Sequence, residues 1–220
     1  MRRRSACDKA GIKLVATARF ARTDTRVTGR ALKRAPANSA AIRVVACASA
    51  AALPHKGLVE RGHAKRKICQ THGAARFDLT RVGGADVEGL WVVSGLAAVA
   101  GKLPGSNASR VLGGKYLAES GKADGKGLAN PFGADSFDLV IGLDKVSLMA
   151  LKKATPGARA FRTALNMALE TIGRTPVPQA VLNFTAAGSF GFTPETGAML
   201  EAVSGEWQVV PNRSPDAPAA

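Results

Sequence analysis

Cysteine, histidine and serine are the residues of this sequence that could bind a metal or act as nucleophiles. Cys69 and His72 form a C-x-x-H pair, but a zinc site needs about four ligands and no second pair completes it. Neither the three histidines nor Ser94 and Ser189 have an acid–base partner at a spacing typical of catalysis. We therefore expect no catalytic residue, no metal ligand and no enzymatic activity.

Glycine-rich loops that cradle phosphates are the next candidates, because they would imply a nucleotide cofactor. The sequence contains neither G-x-G-x-x-G nor G-x-x-x-x-G-K-[S/T]. Its glycine pairs at 83–84 and 113–114 lack the strand-then-helix context of a phosphate loop. The three cysteines are odd in number and form no C-x-x-C pair, so a disulfide framework is not expected either. The sequence predicts no cofactor.

The positive charge of the chain is concentrated in its first third. The net charge is +15; residues 1–81 hold 19 basic and four acidic residues, whereas residues 82–220 hold 12 of each. A basic stretch attracts nucleic acid or anionic lipid through counterion release. A nucleic-acid-binding protein that uses these 81 residues is therefore the alternative to the function inferred below. Aromatic residues make up only 5%, which argues against a stacking platform for single strands.

Alternating apolar runs and helical patterns in the first ninety residues indicate an α/β fold. Helices are predicted near 27–34 and 50–61, the second ended by Gly62. Strands and helices of this size that alternate along a chain form βαβ units with a parallel sheet. The strand candidates lie at 13–17, 42–47, 67–70 and 89–93.

The second half of the chain is predicted to be mostly helical. A weak helix is expected near 109–120, and better ones at 136–154 and from about 158 to 172. In the middle helix, four apolar residues share one face at helical spacing: Leu139, Leu143, Val146 and Ala150. Two short runs around Ser204 and Gly205 predict a β-hairpin at about 198–210. Residues 213–220 are expected to form a disordered tail.

Neither a secretory signal nor a membrane span is recognisable in the sequence. No stretch approaches the roughly 18 uncharged apolar residues that a membrane span requires. The Arg-rich start is followed by an apolar run of only three residues, 14–16, and a secretory signal needs roughly 7–15. By its residues alone, the chain is expected to be cytoplasmic as it stands.

Several motifs follow one another in a consistent order, among them Lys102–Asn107 (KLPGSN) and 150–157 with Phe161 and Arg162. These two resemble the QLPDSN turn and the ALKKAKPGTPEFR segment of the substrate-binding proteins of branched-chain-amino-acid-type ABC transporters. Each motif alone is weak, but their order and spacing over roughly residues 6–210 make the resemblance specific. The remaining similar segments are 52–62, 70–73, 81–89, 132–138, 182–184, 191–193 and 205–207.

The resemblance implies a type I periplasmic binding-protein fold with Rossmann-like lobes. Members of this family are longer, and the register matches only their second half, so the chain is expected to be N-terminally truncated. Residues 1–92 would be the remainder of lobe two, and residues 93–182 the returning segment of lobe one. Residues 183–212 would be the crossover and the C-terminal β-hairpin. A truncated form could be active or inactive.

Departures from the family pattern cluster in the basic third of the chain. Arg43 stands where the family has an apolar strand residue, and a buried arginine without a partner is costly. Residues 62–73 carry one residue more than the matching family segment. We interpret these departures as sequence drift, which would account for the positive charge without a nucleic acid partner.

The family resemblance also implies a ligand and a partner. Such proteins lie in the periplasm, where they close two lobes over a branched-chain amino acid or a related small acid and deliver it to a membrane permease. The strand-to-helix turns of lobe two would cover the ligand. By position, the candidate ligand-binding residues are Ala48 and Ser49 after the second strand candidate, and Thr71 and His72 after the third. The family often has a carboxylate or a tyrosine near these positions, so ligand identity stays open.

Overall fold

The computed structural model describes residues 7–21, 24–124, 131–157, 159–188, 190–191, 193 and 196–211. The expected tail at 213–220 lies outside these residues, as does Ser189. The described strands are β1 (Ile42–Val44), β2 (Ile68–Gln70), β3 (Trp91–Ser94), β4 (Thr175–Pro176), β5 (Val181–Leu182), β6 (Ala198–Val203) and β7 (Glu206–Val209). The described helices are α1 (Thr25–Leu32), α2 (Ala52–Val59), α3 (Phe77–Gly83), α4 (Ala108–Asp124), α5 (Pro131–Leu151) and α6 (Arg159–Glu170).

A five-stranded sheet in the order β1-β2-β3-β6-β7 forms the centre of the molecule. β1, β2 and β3 are parallel, and α2 and α3 connect them in two successive βαβ units. The strands form here because their apolar residues lose nearly all contact with water: Val44 is 5% exposed, and Ile68 and Val92 are fully buried. The predicted α/β fold is confirmed, with strands shorter than the apolar runs suggested.

The C-terminal hairpin completes this sheet. β6 pairs antiparallel with β3, and β7 pairs antiparallel with β6. The two-residue turn at Ser204 and Gly205 has φ values of 53° and 81°, which are the left-handed values that twist-matched hairpin turns require. The hairpin predicted from Ser204 and Gly205 is confirmed.

The helical part of the chain packs beside the sheet. α5 and α6 bury a shared cluster of Val146, Ala150, Ala164, Ala168 and Ile172. Ser109 of α4 donates its hydroxyl to the carbonyl of Val177 at 2.8 Å, which fixes α4 against the short ribbon of β4 and β5. Within the residues that the structure describes, no helix is both long and apolar enough to cross a membrane.

Three expectations about packing were wrong. Residues 12–20 form no strand, and Ile12 and Val15 are each 59% exposed; a strand exists only when a neighbour accepts its hydrogen bonds, and none of the described segments does so. Arg43 is exposed, so it carries no burial cost. Only half of the expected stripe on α5 is buried, because Leu139 and Leu143 face solvent.

Candidate functional site

The predicted ligand-binding residues lie at one edge of the sheet. Parallel strands end at the same edge, so the turns that follow β1 and β2 are neighbours. Ala48 and Ser49 begin the 3₁₀ turn Ala48–Ala51 after β1, and Ser49 is exposed. Thr71 and His72 follow β2 directly. The Thr71 hydroxyl donates to the carbonyl of Ala46 at 3.5 Å, which joins the two turns.

His72 connects this edge to the helical part of the chain. Its Nε2 atom lies 3.1 Å from Oδ2 of Asp135 on α5, and its Nδ1 atom lies 3.4 Å from Oγ of Ser94 at the end of β3. The imidazole is 34% exposed and the carboxylate 49% exposed, so solvent reaches this pair. Of the four predicted residues, His72 is the one that bridges the sheet and α5.

Gln179 extends the same network on its buried side. Its side-chain N–H donates to Oδ1 of Asp135 at 3.1 Å, and its side-chain oxygen accepts from the N–H of Ala97 at 3.0 Å. Its own carbonyl accepts from the N–H of Leu96 at 3.0 Å. Gln179 is 3% exposed. One buried amide therefore orients Asp135 and fixes it to the segment after β3.

The two carboxylates of α5 in this network differ in charge state. Burial acts to raise the pKa of Asp135, but the hydrogen bond and charge of His72 and the amide of Gln179 outweigh it, and this pKa lies below its usual value. Burial raises the pKa of Asp138 from 3.8 to about 7, although the backbone N–H of Gln179 donates to its Oδ1 atom at 3.2 Å. Asp135 therefore presents a negative charge at the edge, whereas Asp138 is close to half-protonated at neutral pH.

The order Ser94–His72–Asp135 has the residue types of a hydrolytic triad, and it contradicts the expectation that His72 and Ser94 lack partners. A serine nucleophile must meet a substrate carbonyl, yet Ser94 is 2% exposed. Its hydroxyl therefore serves to hold the imidazole in place.

Among the described residues, no group of three or more metal-ligating side chains is present. Burial raises the pKa of the Cys69 thiol.

The sequence alone did not identify Ser94, Asp135, Asp138 and Gln179 as parts of the site. Ser94 could have been found, since it ends the third parallel strand and strand ends of this kind meet at one edge. Asp135 lies 63 residues from His72 and Gln179 lies 44 residues from Asp135, and no local pattern connects them. Ser49 also lines a separate depression of about 240 Å³ between α2 and α3, with Lys56 and Asp86.

This chain is similar to several proteins of known structure. No family model matches the chain, and no curated protein matches it. An extracellular ligand-binding receptor from Rhodopseudomonas palustris HaA2 is 35% identical, with a TM-score of 0.82. The match covers 94% of this chain and 58% of the receptor. A second extracellular ligand-binding receptor from the same strain is 27% identical over 94% of this chain and 57% of its own, with a TM-score of 0.78.

More distant structures show the fold alone. A branched-chain amino acid ABC transporter structure from Thermus thermophilus with bound valine is 14% identical and has a TM-score of 0.59. It matches over 94% of this chain and 54% of its own. The resemblance that the motifs indicated is confirmed by these similarities, and the chain spans less than two thirds of each of these proteins. The similar proteins are receptors, which supports a non-enzymatic role at the level of the family.

Proposed function

We propose that this chain, which has the fold of the type I periplasmic binding proteins, supplies one wall of a receptor for a small amino acid or a related small carboxylate. The observation that carries the proposal is the polar edge where the turns after β1, β2 and β3 meet Asp135. The similarity to an extracellular ligand-binding receptor over 94% of the chain supports it. In this proposal the receptor serves the permease of an ABC transporter.

The groups at this edge suit a ligand with both a carboxylate and an ammonium group. The exposed hydroxyl of Ser49 can donate a hydrogen bond to a carboxylate, and the hydroxyl of Thr71 can do so by giving up its 3.5 Å bond to Ala46. His72, whose two ring nitrogens bond to Asp135 and Ser94, positions Asp135. The half-exposed carboxylate of Asp135 can accept from an ammonium group. Hydrogen bonds to charged groups are worth on the order of 1.5–3 kcal/mol each. A branched-chain amino acid, such as the valine bound by the Thermus thermophilus protein, has both groups.

We infer that the chain by itself binds such a ligand weakly. It spans 58% of the R. palustris receptor, and closure over a ligand gains affinity when two walls satisfy the charges and exclude water together. Two or three missing charged hydrogen bonds lower affinity by roughly a thousandfold or more, at about 1.4 kcal/mol per tenfold.

An NMR titration tests the proposal, because it detects binding in the millimolar range. Valine added to the ¹⁵N-labelled chain should shift the amide signals of residues 46–49, 71–72 and 94–97. The Thr71→Val variant should weaken these shifts. Thr171→Val is the matched control, because Thr171 lies just after α6 and its hydroxyl bonds to the carbonyls of Met167 and Ala168 in that helix. Shifts centred elsewhere, or none up to about 20 mM valine, would contradict the proposal.

A further inference from the structure

The two faces of the central sheet differ in how far the described residues cover them. On one face, beneath α2 and α3, the strand side chains are at most 8% exposed: Val44, Ile68, Val92, Leu200 and Trp207. The other face carries a line of paired residues that crosses all five strands, and each of them is exposed or half-buried: Arg43, Cys69, Trp91, Glu201 and Gln208. Paired residues point to the same side of a sheet, so this second side is an open face.

The open face is apolar near its centre. Val45 and Val93 are 43% and 50% exposed, and Trp91 and Met199 are half-buried. Five strands at about 4.8 Å and four residues at about 3.3 Å give this face a flat area of roughly 300 Å². An exposed apolar patch of this size with polar groups at its rim is typical of an interaction surface.

Two charges of opposite sign stand on the line of residues that crosses the open face. Arg43 lies on β1 and Glu201 on β6, three strand spacings or roughly 14 Å apart. This distance is too long for an ion pair within one chain, and neither residue has an ion pair among the described residues. The midpoint between them falls between β2 and β3, with Cys69 on one side and Trp91 on the other.

We propose that the open face is a self-association surface, covered by a second copy of this chain about a two-fold axis that runs parallel to the strands, midway between β2 and β3. A half-turn about this axis places β1 over β6 of the second copy, and β2 over its β3. Arg43 then faces Glu201 of the second copy, and Cys69 faces its Trp91. Each contact occurs twice, so one sequence supplies both complementary surfaces. The inference goes beyond the proposed function and does not depend on the ligand.

The size and the charge of the chain set the expected strength of this dimer. Two copies bury a flat area of roughly 600 Å² in total, which is below the roughly 1,200 Å² of stable interfaces. Each copy also has a net charge of +15, which opposes association unless salt screens it. We therefore expect a Kd of about 0.1 mM at about 0.15 M salt, where the screening length is about 8 Å.

Sedimentation equilibrium of the full chain between about 10 and 500 µM measures this association. Arg43→Glu should weaken the dimer at least about tenfold, because two attractive pairs become repulsive. The double variant Arg43→Glu/Glu201→Arg should restore the affinity to within about threefold, since it exchanges the charges and keeps the pairs. Arg162→Glu is the matched control, because it changes the net charge equally and Arg162 is exposed on α6, outside the sheet.

A second pair of variants tests the apolar centre of the same surface. Val93→Asp should also weaken the dimer at least about tenfold, whereas Val111→Asp should not, because Val111 is 59% exposed on α4. Circular dichroism checks that each variant is folded. The inference is overturned by a chain that stays monomeric, by a dimer that Arg43→Glu or Val93→Asp leaves as strong as its control does, or by a double variant that fails to restore association. An assembly larger than a dimer would overturn it too, because it needs another surface.

Discussion

Replacement of Asp138 by asparagine should stabilise the chain, and only at neutral to alkaline pH. Asp138 is 7% exposed, and burial raises its pKa from 3.8 to about 7. The folded chain therefore keeps a proton that the unfolded chain releases between about pH 4 and pH 7. Stability falls as pH rises through this window, because the folded state binds more protons than the unfolded state.

The size of this stability effect follows from the shift in the pKa of Asp138. About three pKa units at 1.36 kcal/mol each give roughly 4 kcal/mol of destabilisation above pH 7, a large part of the roughly 5–15 kcal/mol that holds a typical domain folded. Asparagine is neutral at every pH and keeps an oxygen that can accept from the N–H of Gln179. We therefore expect Asp138→Asn to gain up to about 4 kcal/mol at pH 8 and little at pH 4.5.

Urea denaturation followed by circular dichroism at the two pH values measures this difference. Asp144→Asn is the matched control, because Asp144 is an exposed carboxylate on the same helix, α5. Surface substitutions of this kind change stability by about 0.5 kcal/mol or less. If the gain of Asp138→Asn over wild type is the same at pH 4.5 and pH 8, burial does not raise the pKa of this carboxyl in the way described.

Four further outcomes can be measured on the same chain. Gly95→Ala should destabilise it by about 1–3 kcal/mol in urea, because the added Cβ overlaps the side chain of Gln179. Gly114→Ala has open space inside α4 and should instead stabilise it by about 0.5–1 kcal/mol. Calorimetry of the chain alone with leucine, isoleucine, valine and small aromatic acids should show no binding as tight as micromolar. Assays with activated esters should show no turnover, and turnover abolished by His72→Ala would contradict this expectation.

The parts of the fold that could be predicted from sequence depend on local patterns. The apolar runs that became β1, β2 and β3 are bounded by turn residues, and the hairpin is specified by Ser204 and Gly205, whose backbone adopts positive φ. The strand expected at 13–17 failed for a non-local reason, since a strand requires a hydrogen-bonded neighbour. The exposure of Arg43 on β1 is non-local too, because a strand's side chains point to the faces of the sheet and their exposure depends on which elements pack over those faces.

The site could be predicted only where strand topology fixes positions. Thr71 and His72 were placed correctly at the carboxyl edge of the sheet, because parallel strands share that edge whatever their side chains. Asp135, Asp138 and Gln179 depend on how α5 packs over the sheet, and that packing joins residues more than 40 positions apart. Hydrophobic periodicity indicates that a helix is buried, but it does not specify the turn against which the helix packs.

The positive charge of the first third of the chain leads to a last prediction. It distinguishes a charge that arose by sequence drift from one that was selected for binding a polyanion. Arg26 lies in the first turn of α1, where the helix dipole disfavours cations, and four residues before Arg30. Both effects predict that Arg26→Gln stabilises the chain by about 0.5–1.5 kcal/mol at low ionic strength. Most of this gain should vanish at 1 M salt, where the screening length is about 3 Å.

Lys115→Gln is the control, and it should destabilise the chain slightly, because Lys115 and Glu119 carry opposite charges at i, i+4 spacing on α4. Urea denaturation at the two salt concentrations measures both variants. If duplex DNA stabilises the wild type more than it stabilises the Arg26→Gln variant, Arg26 contributes to the binding of a polyanion. The interpretation of the positive charge as sequence drift is then wrong.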